Sequence, residues 1–423
     1  MKQIVFIFIL SLLFNGLVKG QTKNREFRST WVITWEYATT SGSVEEKKAR
    51  IRTILDNHVA ANMTSVIWQV RQAGTAYYPS SYEPWGSYFG NTNPGFDPLA
   101  YAIEESHKRG LDLHAWFNVF ACASTFPGSP AQNHPEWVCR DNTGAPMTSN
   151  KALSPGIPEV RTYLNAVAME IVRKYDIDGF HLDYIRWNEY SSSKNNESNN
   201  PYEGLVDGMF TDEELIEKTE NSAGRYLYDY QHPYSAGVPT GFSSWEEWWR
   251  WSVTEFVKTL QDSIKSVKPH VRLSIAALGK YNWTTWCGYH TVYQDAALWF
   301  NQGYIDQIAG MHYHWTTGSG FLGMLTTACP NCWSQYIQPG IAAGRFYTVG
   351  PPSYILKDDN LWGNHPQIVS AIRSVPWTDG FQFFSYGTWR DMNYWQEAAN
   401  IMFKEKVKQR AMKFIWIQYQ SRQ

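Results

Sequence analysis

Short apolar runs alternate with longer amphipathic stretches along most of the chain. Arg28 to Trp35 (RSTWVITW), Ser65 to Arg71 (SVIWQVR), Asp112 to Phe120 (DLHAWFNVF) and Gly179 to Arg186 (GFHLDYIR) read as buried strands rich in β-branched and aromatic residues. Arg272 to Gly279 (RLSIAALG), Gln307 to His314 (QIAGMHYH), Gln338 to Tyr347 and Gly380 to Gly387 (GFQFFSYG) continue the series. Between them, apolar positions recur at helical spacing over Val44 to Ala60, Asp97 to Arg109, Pro158 to Tyr175 and Trp245 to Val267. The same spacing covers Tyr293 to Asn301, Gly318 to Thr327, His365 to Arg373 and the stretch from Asp391 onward. Asp97 is a natural N-cap, Pro98 suits a first turn, and Gly110 ends that helix. A polar insertion over 188–242 interrupts the rhythm after the fourth strand.

Eight strand–helix units predict a (β/α)8 TIM barrel with a long insertion after strand four, in one domain over 25–405 with a tail at 406–423. An open doubly wound sheet would carry a Gly-rich phosphate turn after its first strand, and the sequence has none there. Ahead of the first strand, Lys2 and the apolar run Ile4 to Leu13 precede Val18-Lys19-Gly20, the pattern of a cleavable secretory signal over residues 1–20. Export to the periplasm or the exterior is therefore expected, without stable membrane insertion, because no later segment has the length of a membrane span. In such an oxidising compartment Cys122 can bridge Cys139, and Cys329 can bridge Cys332, leaving Cys287 free.

Composition narrows the partners. The formal net charge of −2 argues against a nucleic-acid partner, which usually selects a basic excess. Aromatic residues reach 16%, with 21 Trp, more than a core requires. Trp31, Trp35, Trp68, Trp85, Trp116, Trp187, Trp315 and Trp389 fall on or beside strand ends, and at least three of them are expected to face a cleft. Sugars offer C–H faces to rings and hydroxyls to polar groups, so a polysaccharide or oligosaccharide is the expected substrate. The residues call for no cofactor.

Chemistry in a barrel of this kind sits at the C-terminal ends of the strands. Asp183 exits strand four and is read as nucleophile or base; a salt bridge to Arg71 or Arg186 is its structural alternative. Glu36, after strand one, is the candidate acid, with Glu189, Glu246 and Glu247 as rivals. Gln69 and Arg71 share parity on strand two, Trp116 and Asn118 on strand three, and His312 and His314 on strand six. These residues, with Tyr184, Arg186, Trp187 and Tyr386, are the expected sugar-binding set. His312 and His314 also admit a metal-dependent hydrolase, although such sites need further ligands at other strand ends.

Several stretches together carry a family likeness: FRSTWVITW, IWQVRQAGTAYYPSSYEPW, GFDPLAYAIEESHKRGLDLHAWFN, HPEWVCRDNTG, LSPGIPEVRTYL, YDIDGFHLDYIRW and FNQGYIDQIAGMHYHW. The chain resembles glycosyl hydrolase-like family ten over roughly residues 25–400. The resemblance implies an exported bacterial barrel glycosidase. It carries the family's strand-two Gln and Arg onto Gln69 and Arg71, its strand-three Asn onto Asn118 and its strand-four Asp onto Asp183. A branch of the family cuts the glycan backbone of peptidoglycan after peptide removal, which makes that glycan a candidate substrate. Where many relatives double the strand-four Asp, this chain has Asp183-Tyr184.

Overall fold

The computed structural model describes residues 25–148, 150–187, 225–283, 287–326 and 332–408. Eight parallel strands form the barrel: β1 (Phe27–Val32), β2 (Ser65–Gln72), β3 (Asp112–Asn118), β4 (Gly179–Asp183), β5 (Arg272–Leu278), β6 (Gln307–Met311), β7 (Phe346–Gly350) and β8 (Gly380–Phe383). Each strand pairs in parallel with the next. Closure is made by β8 against β1, with Phe27 opposite Gly380 and Thr30 opposite Phe383. Gly380 has φ +142°, and a Cβ there would collide with the Phe27 backbone, so the seam requires glycine.

The principal outer helices are α1 (Val44–Ala60), α2 (Pro98–Lys108), α3 (Pro158–Lys174), α4 (Trp245–Val267), α5 (Ala296–Gln302), α6 (Gly318–Leu325), α7 (His365–Arg373) and α8 (Trp395–Ile401). Their starts follow local chemistry. Ser43 and Glu46 form a reciprocal capping box on α1, and Asp97 accepts from the N–H groups of Leu99 and Ala100 at the head of α2. No described helix is long and apolar enough to cross a membrane.

The main apolar core lies between barrel and helices, where Trp68, Leu113, Phe180, Trp249 and Phe381 pack. The barrel interior is smaller and more polar. Phe27, Trp31, Ile67 and Trp116 fill part of it. The Trp31 indole N–H donates to His181 Nε2 at 3.1 Å, so Nδ1 bears the ring hydrogen that meets Ser274 Oγ at 2.9 Å. Burial holds the His181 pKa down at about 3, which keeps this imidazole neutral. Gln307 donates to Thr348 Oγ1 at 2.8 Å, a second buried polar pair between neighbouring strands.

Two sequence expectations are corrected at this level. The seventh strand is Phe346–Gly350, while Gln338–Ala342 is helical, because Pro339 and Gly340 break the apolar run ahead of the strand. Cys122 and Cys139 are both buried free thiols. Cys122 Sγ instead lies 3.2 Å from Arg71 Nη2. Cys287 is also free, and Cys332 is disulfide-bonded. Cys329, the signal at 1–20 and most of the insertion lie outside the described residues.

Candidate active site

The strand exits surround a cleft of about 470 Å³ whose lining includes Gln69, Trp116, Asn118, Asp183, Tyr184, Arg186 and His314. Asp183 is the last residue of β4 and is 8% exposed. Its Oδ1 accepts the Tyr184 N–H at 2.7 Å, which fixes the carboxylate. Tyr184 has φ +48°, a left-handed conformation that a non-glycine residue adopts at a cost of about 1–3 kcal/mol. That turn ends the strand at the carboxylate and leaves Tyr184 exposed at the cleft. The Arg186 guanidinium lies 4.7 Å from the Tyr184 ring centroid, and Arg186 Nη1 is 3.8 Å from Asp183 Oδ1. Asp183 is the only carboxylate among the described residues lining this cleft.

Beside it, β2 and β3 supply amides in a fixed order, with Asn118 the register partner of Asp183 on the neighbouring strand. The Thr34 N–H donates to Gln69 Oε1 at 3.1 Å, which identifies the Gln69 oxygen. Gln69 Nε2 therefore donates to Asn118 Oδ1, at 3.3 Å, and the Asn118 Nδ2 donors are left for the cleft. Trp116 is 4% exposed, and its buried indole N–H has no hydrogen-bond partner among the described residues. The wall thus sets neutral amides beside a carboxylate.

Past β6 the chain turns, and alternation stops at Met311. His312 is fully buried, facing Tyr347 Oη at 2.9 Å, and burial lowers its pKa to about 3. It packs on the outer side and does not line the cleft, which corrects its assignment as a sugar contact. His314 does line the cleft, with its pKa lowered by burial and by the Lys280 ammonium. The two imidazoles therefore do not share a site. Among the described residues no group of three or more His, Cys, Asp or Glu is placed to hold a metal ion. Tyr313, between them, is one of the lining residues that sequence reasoning missed, with Tyr354 and Phe384. It lines the cleft, and its hydroxyl is pushed well above the usual phenol range by burial first and by the Asp183 charge second.

Four other candidates stand away from the cleft. Glu36 lies in a helical turn, Thr34–Tyr37, with its carboxylate turned to Arg390; the neighbouring Trp35 faces the cleft instead. Burial, partly offset by Arg390 and Arg50, leaves the Glu36 pKa raised. Arg71 is inaccessible and forms a bidentate pair with Glu83 at 2.7 and 2.6 Å. A bulge explains this: Gln69 pairs with Trp116 but Arg71 pairs with Phe117, so the shared parity of Gln69 and Arg71 is broken and Arg71 faces the outer layer. Trp187 is buried with its N–H donating to Trp249 O at 3.0 Å. Tyr386 packs on His58 and Trp395 and accepts from Asn57 at 2.9 Å. Among the rivals for the acid, Glu246 is buried against Arg250 and His290, Glu247 bonds Ser243 beside the head of α4, and Glu189 lies outside the described residues.

The aromatic expectation is also corrected. Of the eight tryptophans at strand ends, Trp35 and Trp116 line the cleft, and the other rings there are Tyr184, Tyr313, Tyr354 and Phe384. Trp31 fills the barrel, while Trp68, Trp187 and Trp389 belong to the outer core.

The model of the family described as glycosyl hydrolase-like 10 matches residues 26–341. The chain belongs to that family. Glycosyl hydrolase YngK of Bacillus subtilis (strain 168) is 30% identical over 340 residues, 74% of this chain and 58% of YngK. Glycosyl hydrolase DigH of Escherichia coli (strain K12) is 27% identical over 353 residues, 74% of this chain and 69% of DigH. The chain thus spans little more than half the length of YngK. The PgaB (BpsB) glycoside hydrolase domain from Bordetella bronchiseptica superposes with a TM-score of 0.52 at 13% identity, over 92% of this chain and 100% of that domain, which shows a shared fold.

Proposed function

We propose that this protein is an exported glycosidase that cuts peptide-free glycan strands of peptidoglycan, with Asp183 as nucleophile or base. The reading rests above all on the placement of Asp183, an anchored carboxylate at a strand exit in a cleft that pairs aromatic rings with neutral donors. An oxocarbenium-like transition state gains from a nearby carboxylate, while sugar hydroxyls and acetamido groups take up the Asn118 donors. Arg186 and His314 lie beside the same space. Family membership and the barrel fold support the reaction class; the choice of glycan comes from the family resemblance.

Glycoside hydrolysis ordinarily uses a second carboxyl group. The presence of one carboxylate among the described lining residues favours a second reading, a barrel that binds carbohydrate without cleaving it. The two separate in one experiment. Purified protein is incubated with peptide-free glycan strands, intact peptidoglycan and unrelated polysaccharides, and products and binding are followed by mass spectrometry and calorimetry. New reducing ends from the peptide-free strands are expected. Binding without product would select the second reading, and neither binding nor product on any glycan would overturn both. A parallel Glu189→Gln variant tests whether that residue is the acid; a rate loss of about 10²-fold or more is the scale expected of one.

A further inference from the structure

A second cavity of about 520 Å³ adjoins the first, and Gln72 lines both. Its walls are the loop after β2 and the segment Ala123 to Pro127 after β3. The rings of Trp35, in the first cavity, and Tyr88, in the second, meet edge-on with centroids 5.8 Å apart. Trp35, Tyr88 and Phe126 are 43%, 38% and 38% exposed, so three large rings stay open to solvent along one path. The walls are held in shape by hydrogen bonds to backbone carbonyls. The Ser124 N–H donates to Ala73 O at 2.9 Å, and Ser129 Oγ donates to Phe126 O at 2.7 Å. Thr34 Oγ1 donates to Gln72 Oε1, which leaves the Gln72 amide nitrogen toward the groove. Among the described residues, none that lines this second cavity carries a charge.

From this continuity we propose that the two cavities form one groove, whose outer half binds additional sugar residues of the glycan held at Asp183. The proposal rests on the glycosidase reading above and extends it to an enzyme that grips a chain, not a single terminal sugar. Rings with neutral hydroxyl and amide partners suit uncharged sugar faces. Among the described residues the outer half offers no cation to an acidic substituent, so the proposal has any carboxylate on the strand point to water there.

The test uses full-length Asp183→Asn protein and peptide-free glycan fragments of two, four and six sugars, with affinity measured by calorimetry. Covering one exposed ring is worth about a tenfold gain in affinity. The six-sugar fragment is therefore expected to bind at least about tenfold more tightly than the two-sugar fragment. That ratio should fall to about threefold or less when Tyr88→Ala and Phe126→Ala are combined, with the fold checked by circular dichroism. It should hold between about 0.05 and 0.5 M NaCl, because screening does not weaken uncharged contacts. A ratio near one, a ratio that survives both ring deletions, or a ratio that collapses with salt would overturn the groove while leaving cleavage by the wild type standing. Absence of binding by this variant together with absence of cleavage by the wild type for every fragment would overturn the glycosidase reading, and the groove with it.

Discussion

The Glu36 carboxylate is buried against Arg390, beside Gly387, where any side chain would collide with it. It therefore serves the contact between the Thr34–Tyr37 turn and the segment after β8. Glu36→Gln is expected to leave turnover within about twofold of wild type and to lower unfolding stability by about 1–2 kcal/mol, since the half-exposed Arg390 keeps its solvent. Thermal melts and initial rates check this. A hundredfold rate loss at unchanged stability would instead make Glu36 the acid. Arg71 is the sharper structural case. Its guanidinium holds Glu83 and also donates to Asn118 O and Val119 O, so it pins the β2 bulge to the end of β3. Lysine cannot form that fork. Arg71→Lys is expected to cost about 3–5 kcal/mol in urea unfolding, the scale of breaking a buried pair, and a loss below about 1 kcal/mol would refute the role.

At the scale of elements, strand ends decide which side chains reach the site. Apolar patterning located every barrel strand within a few residues except the seventh, because the face each strand turns to the helices is apolar even where its inner face carries residues such as His181 and Gln307. The patterning ran past the true ends, to Arg186 and His314 where the strands stop at Asp183 and Met311. Alternation holds only inside a strand, so Trp116 and Asn118 were placed correctly from parity, while His312 and Tyr313 exchanged roles. The bulge at Gln69/Arg71 leaves no mark in composition and misled the same rule. At the opposite rim, Asp112 opens β3 close to Asp178, whose carboxylate accepts the Leu113 N–H at 2.8 Å. Burial, then the Asp178 charge, raises the Asp112 pKa to about 6. The folded state thus holds that proton more tightly than the unfolded chain. Stability falls as pH rises from about 4 through 6, where the buried charge forms. Asp112→Asn removes the charge and is expected to stabilise the protein by about 1–2 kcal/mol at pH 8 and by almost nothing at pH 4. Chemical unfolding at the two pH values checks it; an equal effect at both would contradict the assignment.

At the scale of the molecule, the aromatic excess divides between jobs. Most tryptophans at strand ends fill the barrel and the layer around it, and two join four other rings in the cleft. The barrel and the Asp183 carboxylate were legible in the sequence because each follows from local pattern: eight apolar runs, and an acid at the exit of one. The partners of Asp183 were less legible, since Tyr313 and the ordered amides of Gln69 and Asn118 depend on turns and hydrogen bonds between distant segments. The near-neutral chain and the uncharged outer groove agree with a ligand read by rings and hydrogen bonds. The central claim is that Asp183 performs the chemistry of this cleft. Asp183→Asn protein, shown by circular dichroism and melting to be folded as wild type, is incubated with peptide-free glycan strands, and new reducing ends are counted. The account predicts release reduced by about 10³-fold or more with glycan binding retained. Release near the wild-type rate would contradict it.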